Sequence, residues 1–83
     1  MDQERLKREG RLAEKGMKAK ELDLKARGLV DSIRNHLDPL LEEDIAELDV
    51  EVAVVEMAEL FSVIKRYREV SIDIKALKKA LGK

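Results

Sequence analysis

The strongest constraint on the fold is a seven-residue apolar repeat in the second half of this 83-residue chain. Such a repeat places its members on one side of a helix and is typical of a coiled-coil seam. No glycine, proline or asparagine interrupts residues 40–81, although Ser71 and Lys78 fall where apolar residues are expected. The pattern predicts a long second helix over about residues 39–81, with two registers in its seam: Val50, Met57 and Ile64, and Ala53, Leu60, Tyr67, Ile74 and Leu81.

A second apolar face is predicted on the first half of this helix. Its members also repeat every seven residues, and the repeat stops at Glu59. One neighbouring helix covers only one face, so the other face requires a second chain. We therefore predict a homo-oligomer, either an antiparallel dimer or a tetramer, packed as a coiled-coil-like helical bundle. The predicted oligomer interface consists of Leu41, Ile45, Leu48, Val52 and Val55.

The first half of the chain predicts a partner helix over about residues 11–36. Apolar residues recur there at helical spacing, and those expected in the hairpin core are Leu22, Leu29 and Ile33. Gly10, Gly16 and Gly28 each weaken a helix by about 1 kcal/mol relative to alanine, so residues 1–10 are expected to fray. These glycines are interpreted either as hinges and close-packing points or as tolerated surface positions.

The stretch RNHLDPLL, residues 34–41, predicts a corner between the two helices. Proline suits the first position of a helix, and Asp38 before it is a good N-terminal cap. The predicted turn, residues 37–39, is short, and short connections join antiparallel neighbours. The fold class is therefore all-α, a single helical-hairpin domain spanning residues 1–83. The β-branched runs at 50–55 and 70–74 leave strands as the alternative, chiefly at 70–74.

Charge is strongly segregated along a chain whose net charge is only −1. Residues 1–27 carry a net charge of +3, residues 38–59 hold nine acids and no base, and residues 60–83 carry +5. In a hairpin both basic segments lie at the end opposite the acidic one. Opposite poles favour antiparallel association, because complementary potentials select orientation and register.

The chemistry-bearing residues do not form a recognisable catalytic or metal motif. The chain has no cysteine and one histidine, His36, which is more simply a helix-end residue than a metal ligand. Ser32, Ser62 and Ser71 have no histidine and acid arrangement beside them, so we predict no enzymatic activity, cofactor or metal. The uncharged runs are too short for a membrane span, and the absence of cysteine fits a cytoplasmic protein.

A basic arc on the second helix provides an alternative function. Lysine and arginine side chains there are spaced so that they fall on one helical face, turned away from the predicted seam. Such an arc can meet nucleic-acid phosphates through a sequence-independent electrostatic attraction. The candidate phosphate contacts are Lys65, Arg68, Lys75 and Lys79.

Three segments together resemble small helical accessory proteins of Mu-like prophages. They are LKREGRLAEKG, then IRNHLDPLLEE, then a long second helix that ends in IKALKKALG. The resemblance implies a phage accessory or regulatory role in a bacterial cytoplasm, and it assigns no functional residue. From the residues themselves, we predict a non-enzymatic, self-associating interaction or assembly module that also has the surface to bind another protein. The alternative is a small nucleic-acid-associated regulator.

Overall fold

The computed structural model describes residues 3–83 as two long antiparallel helices packed along their length. Helix α1 spans Gln3–His36 and helix α2 spans Val50–Ala80. Between them lie two single 3-10 turns, Pro39–Leu41 and Ile45–Glu47. The molecule is a rod of 67 × 16 × 15 Å. The predicted all-α helical hairpin is confirmed.

A narrow apolar seam joins α1 to α2. Its centre is formed by Leu22 and Ala26 of α1 and Val63 and Val70 of α2, and Val70 is completely buried. Ile33 and Ala53 are buried nearer the turn. Around the centre pack partly buried side chains from both helices: Ala19, Leu29, Leu60, Ile64, Tyr67 and Ile74. The predicted core positions Leu22, Leu29, Ile33, Leu60, Ile64 and Tyr67 therefore all lie in or beside this seam.

Val50 and Met57 do not lie in the seam, contrary to the sequence-based prediction. Val50 is 48% exposed and Met57 is 51% exposed. The series that begins at Ala53 does line the seam. The second series that lines it contains Val63, Val70 and the half-buried Leu77, and is not the series that begins at Val50. The polar residues Ser71 and Lys78 follow Met57 and Ile64 at seven-residue steps, and they mark that series as the flank of the seam.

Helix α2 begins at Val50 rather than at Pro39. The predicted cap at Asp38 does form, since its carboxylate accepts a hydrogen bond of 2.9 Å from the backbone N–H of Leu40. It starts only a 3-10 turn, because α1 ends at His36 and an α-helix over residues 39–49 would project beyond it without a packing partner. Long helices depend on such packing for most of their stability. The connection therefore extends over residues 37–49 instead of 37–39.

Helix α1 begins earlier than predicted, at Gln3. Residues 3–10, expected to fray, are helical, while Met1 and Asp2 of that prediction lie outside the described residues. A methyl group added at Gly10, Gly16 or Gly28 would have no atom within 4 Å, so close packing of another segment does not explain them. The strand alternative is wrong, because 50–55 and 70–74 are both within α2.

Ion pairs across the hairpin follow its antiparallel order. Lys15 Nζ lies 3.0 Å from Asp73 Oδ2, and Lys25 Nζ lies 3.3 Å from Glu59 Oε1. These pairs are partly exposed, and exposed pairs contribute at most about 1 kcal/mol each. The apolar seam therefore holds the helices together, while the ion pairs favour their alignment.

Candidate interaction surfaces

An apolar stripe runs along the outside of the first half of α2. Its four members are separated by four, three and four residues, a spacing that places them on one helical face. All four are substantially exposed, with fractions of 48%, 63%, 51% and 71% in sequence order. We call this surface the apolar stripe: Val50, Val54, Met57 and Phe61. Contiguous exposed apolar side chains are uncommon on monomeric soluble proteins, so this stripe is a candidate interaction surface.

The same face of α2 continues as a basic row. One helical turn beyond Phe61 comes Lys65, and further basic side chains follow on this face after three, seven and four residues, with the exposed Ile72 between Arg68 and Lys75. We call these side chains the basic row: Lys65, Arg68, Lys75 and Lys79. All four are exposed, and no ion pair involves them within residues 3–83. The predicted phosphate contacts thus share one accessible face.

The acidic connection, residues 37–49, precedes the apolar stripe. Two of its carboxylates are occupied in local turns, since Asp38 accepts from Leu40 N–H and Asp44 accepts from Ala46 N–H at 3.0 Å. The other acids before Val50 are Glu42, Glu43, Glu47 and Asp49. Across residues 3–83, no group of histidine and acidic side chains is arranged to hold a metal ion.

The five residues of the predicted oligomer interface do not form one helical face. Leu41 and Ile45 belong to the two 3-10 turns and are 63% and 67% exposed, while Leu48 is half-buried. Val52 and Val55 do lie on α2 and are exposed, but at about 3.6 residues per turn they fall on the other side of the helix from the apolar stripe. The prediction of a second continuous seam over 41–55 is wrong because α2 starts at Val50. Whether these five side chains contact another chain stays a prediction.

A polar layer closes the hairpin seam next to the connection. His36 Nε2 lies 2.9 Å from Glu56 Oε1, and His36 Nδ1 lies 3.8 Å from Asp49 Oδ2. Glu56 occupies the heptad position seven residues before Val63, and its side chain is only 17% exposed. Its Oε1 is buried without a well-directed hydrogen bond, and its contact with His36 Nε2 is an ion pair only when the imidazole is protonated. The layer is thus part of the hairpin seam.

A shallow groove between the helices lies beside Tyr67. Ala19, Lys20, Asp23 and Leu24 of α1 complete its lining. Asp23 Oδ2 accepts a hydrogen bond of 3.0 Å from Arg27 Nε. This hydrogen bond, and next the negative charge of Asp23, raise the pKa of Arg27 above its usual value. Arginine is already protonated at neutral pH, so the shift adds no titrating group to the groove.

Sequence reasoning missed the apolar stripe because it assigned Val50 and Met57 to the core. The signal was present in the sequence, since Val63, Val70 and Leu77 repeat every seven residues without a polar interruption. Once that register is chosen for the core, Val50 and Met57 move to the outside. They then align with Val54 and Phe61.

Comparisons of the chain with protein-family models, with curated proteins and with solved structures find no match. The likeness to Mu-like prophage accessory proteins therefore stays a prediction. Neither helix within residues 3–83 has the length and apolar character needed to cross a membrane.

Proposed function

We propose that this chain is a non-enzymatic helical module that works by assembling with further copies of itself into a homo-oligomer. The observation that supports the proposal is the distribution of apolar side chains. Among the described residues, seven apolar side chains are buried, whereas fourteen large ones are exposed. A hairpin that is only 16 × 15 Å in cross-section cannot cover more of them by itself.

Several of these exposed apolar side chains are clustered. Single exposed apolar residues are common on monomeric proteins and need no explanation. Here Val50, Val54, Met57 and Phe61 form one continuous exposed apolar area along one face of α2. Association would remove this area from water, and apolar burial is the main favourable contribution to most protein association.

Measuring the solution mass tests the proposal. Size exclusion with light scattering at micromolar concentration is expected to give a dimer or tetramer. A Val54→Lys variant is expected to give a monomer with unchanged helical content, because Val54 is 63% exposed and does not support the hairpin core. A wild-type chain that is monomeric throughout this concentration range contradicts the proposal.

The interface predicted from the sequence can be separated from the apolar stripe. A Leu48→Lys/Val52→Lys variant is the matched control for Val54→Lys, since both introduce lysine near the start of α2. If the contact uses the predicted set, the double variant dissociates and Val54→Lys does not. We expect instead that Val54→Lys dissociates the oligomer and that the double variant does not, because the side chains of the predicted set lie partly in the connection and partly on α2.

A nucleic-acid-associated regulator is the second candidate, and the basic row is the observation that favours it. The row combines four exposed cationic side chains on one face without ion-pair partners in the described part of the chain. It predicts DNA or RNA binding that weakens steeply with salt, with a logarithmic slope of about −0.9 for each B-DNA phosphate neutralised. Reversing Lys75 and Lys79 to glutamate is expected to abolish such binding. The absence of any retardation at low salt contradicts this candidate.

A further inference from the structure

The apolar stripe has a spacing that reads the same in both directions. From Val50 to Phe61 the steps are four, three and four residues. An antiparallel copy therefore presents Phe61 opposite Val50 and Met57 opposite Val54, with the large and small side chains of each pair facing one another. Contacts between identical surfaces related by a two-fold axis are the commonest arrangement in homo-oligomers.

The charges on either side of the stripe distinguish the two orientations. The acidic connection lies directly before Val50, and the basic row begins one turn after Phe61. In an antiparallel pair, each acidic connection lies beside the start of the other copy's basic row. In a parallel pair, acid faces acid and base faces base, which is unfavourable. The order acidic, apolar, basic along the chain thus fits a second copy of this chain in one orientation.

We propose that a second copy packs on the apolar stripe in antiparallel orientation, with the two-fold axis between residues 55 and 56 of α2. The acidic connection of each copy then lies beside Lys65 and Arg68 of the other. This inference rests on the proposed self-association and adds the surface, the orientation and the register.

A competing surface on α1 lacks this order. Leu6, Met17 and Leu24 are 54%, 68% and 71% exposed and fall on the side of α1 that faces away from the seam. Lys20 and Arg27 lie at the edge of this row, and no acidic segment precedes it in the way that the connection precedes Val50. The charges beside this α1 row therefore favour neither a parallel nor an antiparallel second copy. Of the two surfaces, only the apolar stripe on α2 is flanked by charges that favour a second copy of this chain in one orientation.

Single-cysteine cross-linking tests the register directly, because the natural chain has no cysteine. With the axis between 55 and 56, the two copies of position 57 are displaced by only about 4.5 Å along the helices, from a rise of 1.5 Å per residue. The two copies of position 65 are about 28 Å apart on the same basis. A Met57→Cys variant is therefore expected to form disulfide-linked dimers under mild oxidation, and a Lys65→Cys variant is not. Both positions are exposed, so neither change disturbs the core.

The outcomes separate this inference from the proposed function. Cross-linking of both variants indicates a parallel pair and overturns the orientation. If neither variant cross-links although the solution mass shows an oligomer, the copies do not meet through the apolar stripe. Self-association itself then remains supported. A monomeric wild-type chain removes both proposals, and DNA retardation by such a monomer supports the nucleic-acid candidate instead.

Charge reversal provides a second test with a rescue. A Lys65→Glu/Arg68→Glu variant places acids beside the partner's acidic connection and is expected to weaken dimerisation on the order of tenfold, because each exposed pair contributes little. Adding Glu43→Lys and Glu47→Lys to the same chain restores opposite charges across the contact and is expected to restore most of the affinity. Failure of the fourfold variant to recover, when it is as helical as the natural chain, contradicts the proposed charge pairing.

Discussion

Replacing Val70 by alanine should be one of the most damaging small changes in this protein. Val70 is the only large side chain among the described residues that is fully buried, and it contacts the α1 side of the seam. The substitution removes two methyl groups, which corresponds to about 1.6 kcal/mol of lost burial. The cavity left behind adds roughly 1 kcal/mol if the seam does not collapse, at about 24 cal/mol per Å³. Alanine recovers about 0.5 kcal/mol through its higher helix propensity. We expect a net loss of about 2 kcal/mol.

Val54→Ala is the matched control, because the same substitution occurs in the same helix with the same gain in propensity. Val54 is 63% exposed within one hairpin, so little burial is lost and no cavity forms. The stability of the isolated hairpin should change by less than about 0.5 kcal/mol. The measurement is urea unfolding followed by far-UV circular dichroism, at two protein concentrations so that any effect of association is separated.

The comparison refutes the described seam if the two variants behave alike. A near-neutral Val70→Ala combined with a costly Met57→Ala would instead support the register that places Val50, Met57 and Ile64 in the core. Met57 is 51% exposed, so the structure predicts a small effect there on the isolated hairpin. The packing therefore requires that Val70→Ala lowers the stability of the isolated hairpin most, and that Met57→Ala and Val54→Ala each lower it only slightly.

Two further predictions concern glycines and the polar layer. Gly28→Ala is expected to raise the free energy of unfolding by about 1 kcal/mol, because the site is inside α1 and an added methyl group meets nothing within 4 Å. Gly82→Ala is the opposite control: its φ of +73° is unfavourable for alanine, so that variant should be less stable, as thermal unfolding would reveal. A His36→Leu/Glu56→Leu double variant is expected to be more stable by about 1 to 3 kcal/mol, since apolar pairs often replace partly buried ion pairs with a gain. Glu56→Leu alone should gain less, and a loss of stability in the double variant by denaturant unfolding would contradict this reading of the layer.

The fold class could be predicted because apolar periodicity and composition both favour two long helices over most of the chain. The end of α1 at His36 could also be predicted, since Asp38 and Pro39 stop a helix by local chemistry. The start of α2 could not be predicted from the sequence. Asp38-Pro39 is a valid helix-start signal, but how far a helix continues depends on whether α1 lies opposite it, and that is a tertiary property.

The register of the α2 seam was misassigned for a related reason. Glu56 occupies a core position that a pattern of apolar residues does not reveal. It is accommodated there because His36 lies across from it at 2.9 Å. Because Glu56 interrupts the apolar series that leads to Val63 and Val70, the series through Val50 and Met57 is the more continuous apolar pattern at the start of α2, and it hides the outer surface of the helix. Both errors arose where a position was decided by the partner helix and not by its own residue type.

The placement of the chain ends has a practical consequence for measuring assembly. Lys83 Nζ lies 3.8 Å from Glu9 Oε1, so the segments nearest both ends meet at one extremity of the 67 Å rod. A fluorophore attached after Lys83 would therefore be remote from the bend between the helices. In the proposed antiparallel pair, two such fluorophores would lie at opposite extremities, and energy transfer between them would be weak. Donor and acceptor placed one at Lys83 and one in the bend of separate copies would instead report binding as it happens.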